Sequence, residues 1–380
     1  MTAKITFFPV GNGDMTLIET SQGNRILIDC NIREGEDFPD VKRELRDRLV
    51  RDINGRLNVD LFIWTHPDAD HCRGISKHFH LGRPEDWSKD KDLIFINEIW
   101  SSPIIFRRAS KNHTLTEEAK IFKKEIKARV ELYRKNYSTS AGNHVLILGP
   151  DEDSARNNDI PNIVMQLDSE RSYFNNTFSA KLLGPSPKSE HDTDEESLGK
   201  NHSSVIMNYK VSCGSRSAQF LSGGDAEVVC WETLLKRLKQ NGKESSLKYD
   251  ILQSPHHCSW HSLSHDSLSK KGDEAATSPE AINALGKANE NAIIIASSNT
   301  ILDNDLDPPA YRAKKEYLAI LDEVSGSFYC VADHKKDDEN IPLTIEINSE
   351  KTRLLPAAGL ASSSSANTSA VNRSGGTGYA

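Results

Sequence analysis

The run Trp64-Thr65-His66-Pro67-Asp68-Ala69-Asp70-His71-Cys72-Arg73-Gly74 decides how the rest of the chain is read. It follows Val59-Asp60-Leu61-Phe62-Ile63, an apolar stretch of strand composition that a Thr-His-Pro turn brings to an end. Two histidines and two aspartates are therefore delivered together at the carboxyl end of a strand. Imidazole nitrogen and carboxylate oxygen both suit borderline divalent cations such as Zn²⁺ and Mn²⁺, so the loop is a metal nest by composition. The plain alternative is a polar loop whose aspartates cap the helix that follows.

The same strand-to-ligand pattern recurs downstream. Gln219-Phe220-Leu221-Ser222 closes on Gly223-Gly224-Asp225, where glycines let backbones approach closely and the aspartate is presented at a strand end. Tyr249-Asp250-Ile251-Leu252-Gln253 runs into Ser254-Pro255-His256-His257-Cys258-Ser259, and Ala292-Ile293-Ile294-Ile295-Ala296 leads through Ser297 and Ser298 towards Asn299 and Pro309. Upstream, Arg25-Ile26-Leu27-Ile28-Asp29 ends on an aspartate that either orients a ligand histidine in the same pocket or merely starts a turn.

With 380 residues and a hydrophobic fraction of 37%, the chain can bury one large core or two moderate ones, and mixed α/β is the expected class. A net charge of −8 and a pI near 5.9 argue against a nucleic-acid coat protein, while leaving room for a local basic groove. No apolar run approaches the roughly 18 residues of a membrane span, and Met1-Thr2-Ala3-Lys4 opens no signal-peptide core. The expectation is a soluble, cytoplasmic protein. Six scattered cysteines (Cys30, Cys72, Cys213, Cys230, Cys258, Cys330) without a C-x-x-C pair suggest reduced, buried residues rather than a disulfide framework or zinc ribbon. Cys72 and Cys258 directly follow candidate ligand histidines, which leaves a role near the metal open beside simple packing.

In chain order, strands are expected over 4–9, 15–20 and 25–30 around the glycine-rich turn Val10-Gly11-Asn12-Gly13-Asp14. A charged helix over 40–51 carries Val41, Leu45 and Leu49 on one face. After a strand near 93–100, Thr114-Leu115-Thr116-Glu117 has the form of a capping box, and Leu115, Ala119, Phe122, Ile126, Val130 and Tyr133 recur at helical spacing. This predicts a long amphipathic helix over 114–136 inside a helical insertion at about 101–140. From Arg107 to Lys135 there are ten basic residues against four glutamates. Lys120, Lys123, Lys124 and Lys127 are then either a rail for a phosphate backbone or a solvated helix face. Strands near 144–148 and 179–183, an exposed acidic loop over 185–200, helices over 228–240 and 310–323, and strands near 327–332 and 342–347 complete a single domain over 1–355. Residues 356–380, rich in Ala, Ser, Gly, Asn and Thr, are expected to form a disordered tail.

Taken together, Val10-Gly11-Asn12-Gly13-Asp14, Ile26-Leu27-Ile28-Asp29, Thr65-His66-Pro67-Asp68-Ala69-Asp70-His71, Asn201-x-Ser203-Ser204-Val205, Gly224-Asp225 and Pro255-His256-His257 resemble the hydrolase domain of the DNA-uptake competence proteins, within the metallo-β-lactamase fold. The resemblance covers roughly residues 4–348. It implies a four-layer αββα sandwich with a one- or two-metal site along one edge. His66 and Asp68 would belong to one metal and Asp70 and His71 to the second. Asp225 would bridge them, and His256 or His257 would complete the shell. Two divalent cations, Zn²⁺ or Mn²⁺, would generate a hydroxide nucleophile that Asp70 orients. Whichever of His256 and His257 is not a ligand would steady the developing charge or the leaving oxygen.

The chain also departs from the family pattern. Cys258 stands where Gly usually follows the His-His pair, and Gly223 stands where Thr often precedes Gly-Asp. Where the competence-like branch has Asn-x-x-x-His-Pro, Asn299 is followed by Asp303, Asp305, Asp307 and Pro308 with no histidine, so Asp307 either substitutes or leaves that role open. Asp68 in place of the usual third histidine hardens the site and makes Mn²⁺ a competitor to Zn²⁺. His144, His202, His261 and His265 are either extra ligands or ordinary hydrogen-bonded histidines, His202 and His261 lying nearest the motifs.

These readings favour a metal-dependent phosphodiesterase or nuclease acting on nucleic acid or a nucleotide, with no membrane partner and with a homodimer as an open assembly. The family's membrane channel has no counterpart here, so DNA uptake is not implied. A hydrolase of small molecules (a cyclic nucleotide, phosphocholine ester, lactone or thioester) and a non-catalytic scaffold with a degenerate metal site are the alternatives.

Overall fold

A strand that is apolar on both faces needs partners above and below it. In the strand Arg25–Ile28, Ile26 and Ile28 point to one side and Leu27 to the other, and all three are buried. The strand Leu57–Trp64 divides in the same way, Leu61 and Ile63 against Phe62 and Trp64. The computed structural model, which describes residues 2–103, 114–137, 139–149, 159–186, 200–304 and 306–357, satisfies both faces by stacking layers.

The first sheet has ten strands, nine of them in the order Val164–Met165, His144–Leu148, Phe95–Ser101, Leu57–Trp64, Arg25–Ile28, Thr16–Glu19, Ala3–Phe7, Leu343–Ile347 and Thr352–Leu354. The pairs from Val164–Met165 to Arg25–Ile28 are parallel and the rest antiparallel. The second sheet has seven strands in simple chain order: Glu170–Tyr173, Phe178–Gly184, Ile206–Cys213, Arg216–Ser222, Tyr249–Gln253, Ala288–Ala296 and Ser327–Cys330. Its last four run parallel.

Three apolar clusters define the layers. Between the sheets, Ile5, Phe7, Ile26, Ile28 and Ile63 meet Met207, Tyr209, Phe220, Ile251 and Ile295. Outside the first sheet, the helices Val41–Arg48 and Glu117–Asn136 lay Val41, Leu45, Phe122 and Ile126 on Leu27, Phe62 and Trp64. Outside the second, the helices Val228–Gln240, Pro279–Leu285 and Tyr311–Asp322 lay Trp231, Leu235, Ala281 and Tyr317 on Leu221, Leu252 and Ile294. The order is helices, sheet, sheet, helices, a mixed α/β architecture.

The helix expected over 114–136 begins at Glu117, and its cap is Thr116, whose hydroxyl accepts from the Ala119 amide, rather than Thr114. It links the parallel neighbours Phe95–Ser101 and His144–Leu148 and is part of the outer layer. One of its basic residues turns inward: Arg129 is 3% exposed, pairs with Glu125 at 2.8 Å and donates to the His144 carbonyl at 3.2 Å. Breaking such a buried pair costs roughly 3–5 kcal/mol. Lys120, Lys124 and Lys127 are exposed and Lys123 is half-buried, so those four remain on the outer side.

Residues 358–380 of the expected tail, 187–199 of the acidic loop, and Arg107, Arg108 and Lys111 of the basic run lie outside the described residues. All six cysteines are free thiols, and all but Cys230 are buried. Among the described residues no helix is long and apolar enough to cross a membrane.

Candidate metal centre

Parallel strands carry their carboxyl ends to one edge, where open α/β sheets gather their functional loops. From the first sheet, Arg25–Ile28 delivers Asp29 and Leu57–Trp64 delivers His66, Asp68, Asp70 and His71. From the second, Arg216–Ser222 delivers Asp225 and Tyr249–Gln253 delivers His256 and His257. Bonds across the seam hold the edges together: the Val205 amide donates to the Thr65 carbonyl at 3.0 Å, and the Ser102 hydroxyl to the Ser203 carbonyl at 2.9 Å.

The side chains converge on Asp225, which is 2% exposed. Its Oδ1 lies 3.1 Å from His71 Nε2 and 3.3 Å from His257 Nε2. Its Oδ2 lies 3.8 Å from His66 Nε2 and 3.8 Å from His256 Nε2. Around Oδ1, Asp70, His71 and His257 offer ligand atoms within one cation's reach, and around Oδ2, His66 and Asp68 do the same. These buried His/Asp clusters could hold a metal ion.

The donor chemistry fits a cation. His66 is fully buried and, among the described residues, neither ring nitrogen has a hydrogen-bond partner, although Nε2 is 3.2 Å from Asp68 Oδ2. Both ring nitrogens of His257 are likewise buried without a bond in good geometry. Leaving such groups unpaired costs about 1–3 kcal/mol each, and a cation at the imidazole lone pair removes that cost.

His71 is held from behind. Its Nδ1 is 2.8 Å from Asp29 Oδ2, and both residues are fully buried. Asp29 in turn accepts from the Thr65 amide at 2.8 Å and from the Thr65 hydroxyl. The arrangement fixes a hydrogen on Nδ1 and aims Nε2 at Asp225, 3.1 Å away, so that a cation would take the place of the Nε2 proton. Asp29 therefore does more than start a turn: its carboxylate is bonded to His71 and to Thr65.

Electrostatics follow the geometry. Burial pushes His71 down, but Asp225 and Asp29 outweigh it and hold the imidazole well above its ordinary value. Burial likewise lowers His257, and Asp225, Asp14 and Asp70 reverse this and carry it to about 10. Burial alone would raise Asp225, yet His71, His257 and His66 hold it well below the carboxylate range. His256 goes the other way, lowered by burial and by His257 against the pull of Asp225.

Asp14, in the sequence part of a glycine-rich turn, also reaches the candidate centre. It is 5% exposed, its Oδ1 is 3.4 Å from His257 Nδ1, and its amide donates to the Asp70 carbonyl at 3.1 Å. It approaches His257 from the side on which Asp29 approaches His71, at Nδ1, but at a longer distance. The available signal was an aspartate next to a strand, the placement already noticed at Asp29 and Asp225.

Other candidates lie apart from these clusters. His202 Nε2 is 3.4 Å from Glu227 Oε2, His261 Nε2 is 3.8 Å from Asp307 Oδ2, and Asp307 Oδ1 accepts from the Trp260 amide at 3.0 Å. His144 meets the Thr139 carbonyl at 3.0 Å and His265 meets Glu232 at 3.0 Å. Cys72 donates its thiol to the Asp68 carbonyl at 3.1 Å, and burial pushes that thiol up to about 12.

One of the positions where the sequence departs from the pattern it resembles has a local cause. A Cβ at Gly223 would lie 2.6 Å from Cζ2 of buried Trp231, so no threonine fits there. At the His-His pair the backbone is left-handed over three non-glycine residues, His256 (φ 51°), His257 (φ 54°) and Cys258 (φ 67°). Each costs about 1 kcal/mol or more, and such strain clusters at functional sites. The turn is held by the bond from the His256 amide to the Gly224 carbonyl at 2.9 Å and from the Ala310 amide to the Cys258 carbonyl at 2.9 Å. No protein-family model matches the chain, and no curated protein shows significant similarity to it.

Proposed function

We propose that the chain is a metal-dependent hydrolase of the metallo-β-lactamase fold, acting as a phosphodiesterase on nucleic acid or a nucleotide. The observation that carries this reading is Asp225, whose two oxygens face two different sets of ligands. The layering of helices, sheet, sheet and helices supports the fold assignment.

On this reading His66 and Asp68 would hold one cation and Asp70, His71 and His257 the other, with Asp225 in reach of both sets. When bound, a pair of Zn²⁺ or Mn²⁺ ions supplies Lewis acidity and lowers the pKa of water towards neutrality. Asp29 fixes the tautomer of His71, and Asp14 places a carboxylate 3.4 Å from His257 Nδ1. Asp70, with 29% of its side chain exposed, orients the attacking water at the mouth of the site. His256, 17% exposed and kept neutral by burial, holds a proton for the leaving oxygen.

The test is metal analysis of the purified protein joined to a substrate panel. Single- and double-stranded DNA, RNA, cyclic nucleotides and bis-p-nitrophenyl phosphate are offered with Mn²⁺ and with Zn²⁺. Bound metal and cleavage of a diester are expected, both lost in Asp70→Ala and Asp225→Ala. A protein that takes up neither ion, or that cleaves no diester when loaded, overturns the reading.

A further inference from the structure

We propose that Arg33 and Arg73 form a phosphate-binding subsite beside the metal centre, which takes a phosphate of the substrate other than the one being cleaved. This rests on the phosphodiesterase reading and narrows it to substrates with at least two phosphates.

The two arginines line an open cavity of about 390 Å³ together with Ile32, Phe38, Lys77 and Glu118. The acids at its wall are already engaged. Glu34 is paired with Lys77, and Glu118 accepts from the Ser76 amide at 2.9 Å and the Ser76 hydroxyl at 2.6 Å. Among the described residues neither arginine side chain has a carboxylate or hydrogen-bonding partner. Arg33 lies over the Phe38 ring at 4.3 Å, and burial, with the charge of Arg73 added, lowers its pKa. Two guanidinium groups lining one cavity repel each other, and a phosphate, which a planar guanidinium fork grips with two parallel N–H bonds, turns that repulsion into attraction.

Position ties the pair to the metal loops. Arg73 is two residues beyond His71, and its strand pairs with Cys30–Asn31, which directly follows Asp29. Arg33 reaches the glycine-rich turn that carries Asp14, since a Cβ at Gly11 would lie 2.5 Å from Arg33 Nη2. A second cavity of about 170 Å³ continues past Arg33 and Phe38 to Asn299. Phe38 is 38% exposed, so it offers a nucleobase an aromatic edge beside the arginines.

The experiment compares binding of a 5′-phosphorylated thymidine dinucleotide with its unphosphorylated counterpart, by NMR titration of the full chain in EDTA. Without metal there is no turnover, so a failed cleavage assay leaves this result standing, and a failed binding test leaves cleavage untouched. The terminal phosphate is expected to tighten binding about tenfold or more, the worth of one charge-assisted hydrogen bond. That preference should vanish in Arg33→Gln/Arg73→Gln and survive in part in Arg33→Lys, which keeps the charge without the fork. Each variant is checked for an unchanged fold by circular dichroism and for unchanged metal uptake. Inorganic phosphate forms a second arm. The proposal is overturned if the native chain shows no preference, if the double variant keeps it, or if free phosphate binds through the arginines while the dinucleotide gains nothing.

Discussion

Replacing Asp29 by asparagine changes one atom and should disable His71. The native carboxylate accepts three bonds: the Thr65 amide at Oδ1, and the Thr65 hydroxyl and His71 Nδ1 at Oδ2. Asparagine has only one oxygen. If that oxygen keeps the Thr65 amide, the new NH₂ faces His71 Nδ1, which must then accept, and the hydrogen moves to Nε2, where the lone pair for a cation should be. If the amide flips, two N–H groups face each other at Thr65. The first outcome removes a ligand's orientation, which typically costs 10–100-fold in metal affinity, or about 1.4–2.7 kcal/mol. The second strands a buried donor at about 1–3 kcal/mol of stability. Competition against a chromophoric chelator reads the affinity, and urea unfolding in EDTA reads the stability of the metal-free chain. An Asp29→Asn protein that matches the native one in both measurements would refute the tautomer argument.

Three further outcomes are expected. Gly223→Thr should lose about 1–3 kcal/mol in urea unfolding, since its Cβ would meet Trp231 at 2.6 Å; an unchanged midpoint would show that the indole yields freely. Burial, with Lys42 nearby, holds His78 below its ordinary 6.5 against the pull of Glu34. The unfolded chain therefore takes the proton first, the contribution is present above pH 6.5, and stability falls as the pH drops below it. His78→Gln should flatten the fall in urea midpoint between pH 7 and pH 5, roughly the window around the free histidine value, and an unflattened curve would assign it to other groups. On the helix Glu117–Asn136, Lys120 is already paired with Glu117 at 2.7 Å. Lys124→Ala/Lys127→Ala should then lower the salt slope of nucleic-acid binding by at most about 2, and an unchanged slope takes that helix out of the interface.

The strands and helices were legible because apolar runs and helical spacing survive into burial. Ile26 and Ile28 against Leu27, or Phe122 and Ile126 on one helix face, are read from the chain and found in the packing. The candidate ligand residues could be picked out in the sequence because each group follows a strand end. What remained hidden depended on neighbours distant in sequence. Asp14 looks like a turn residue until His257, from the other sheet, comes within 3.4 Å. Arg129 looks solvated until Glu125 and the His144 carbonyl enclose it. Gly223 looks like a flexible turn until Trp231 presses against it. Thr114 alone has the capping-box spacing to a glutamate, Glu117, yet it is Thr116 that caps the helix.

The candidate centre lies across the seam, with His66 to His71 leaving one sheet and Asp225 to His257 leaving the other. Neither half of the polypeptide therefore owns a complete ligand set. A bound cation would act as a rivet between the two layers, and slower amide exchange on both sides of the join would report its arrival. A chain cut between the acidic loop and Ile206 should regain that protection only when its two fragments are mixed.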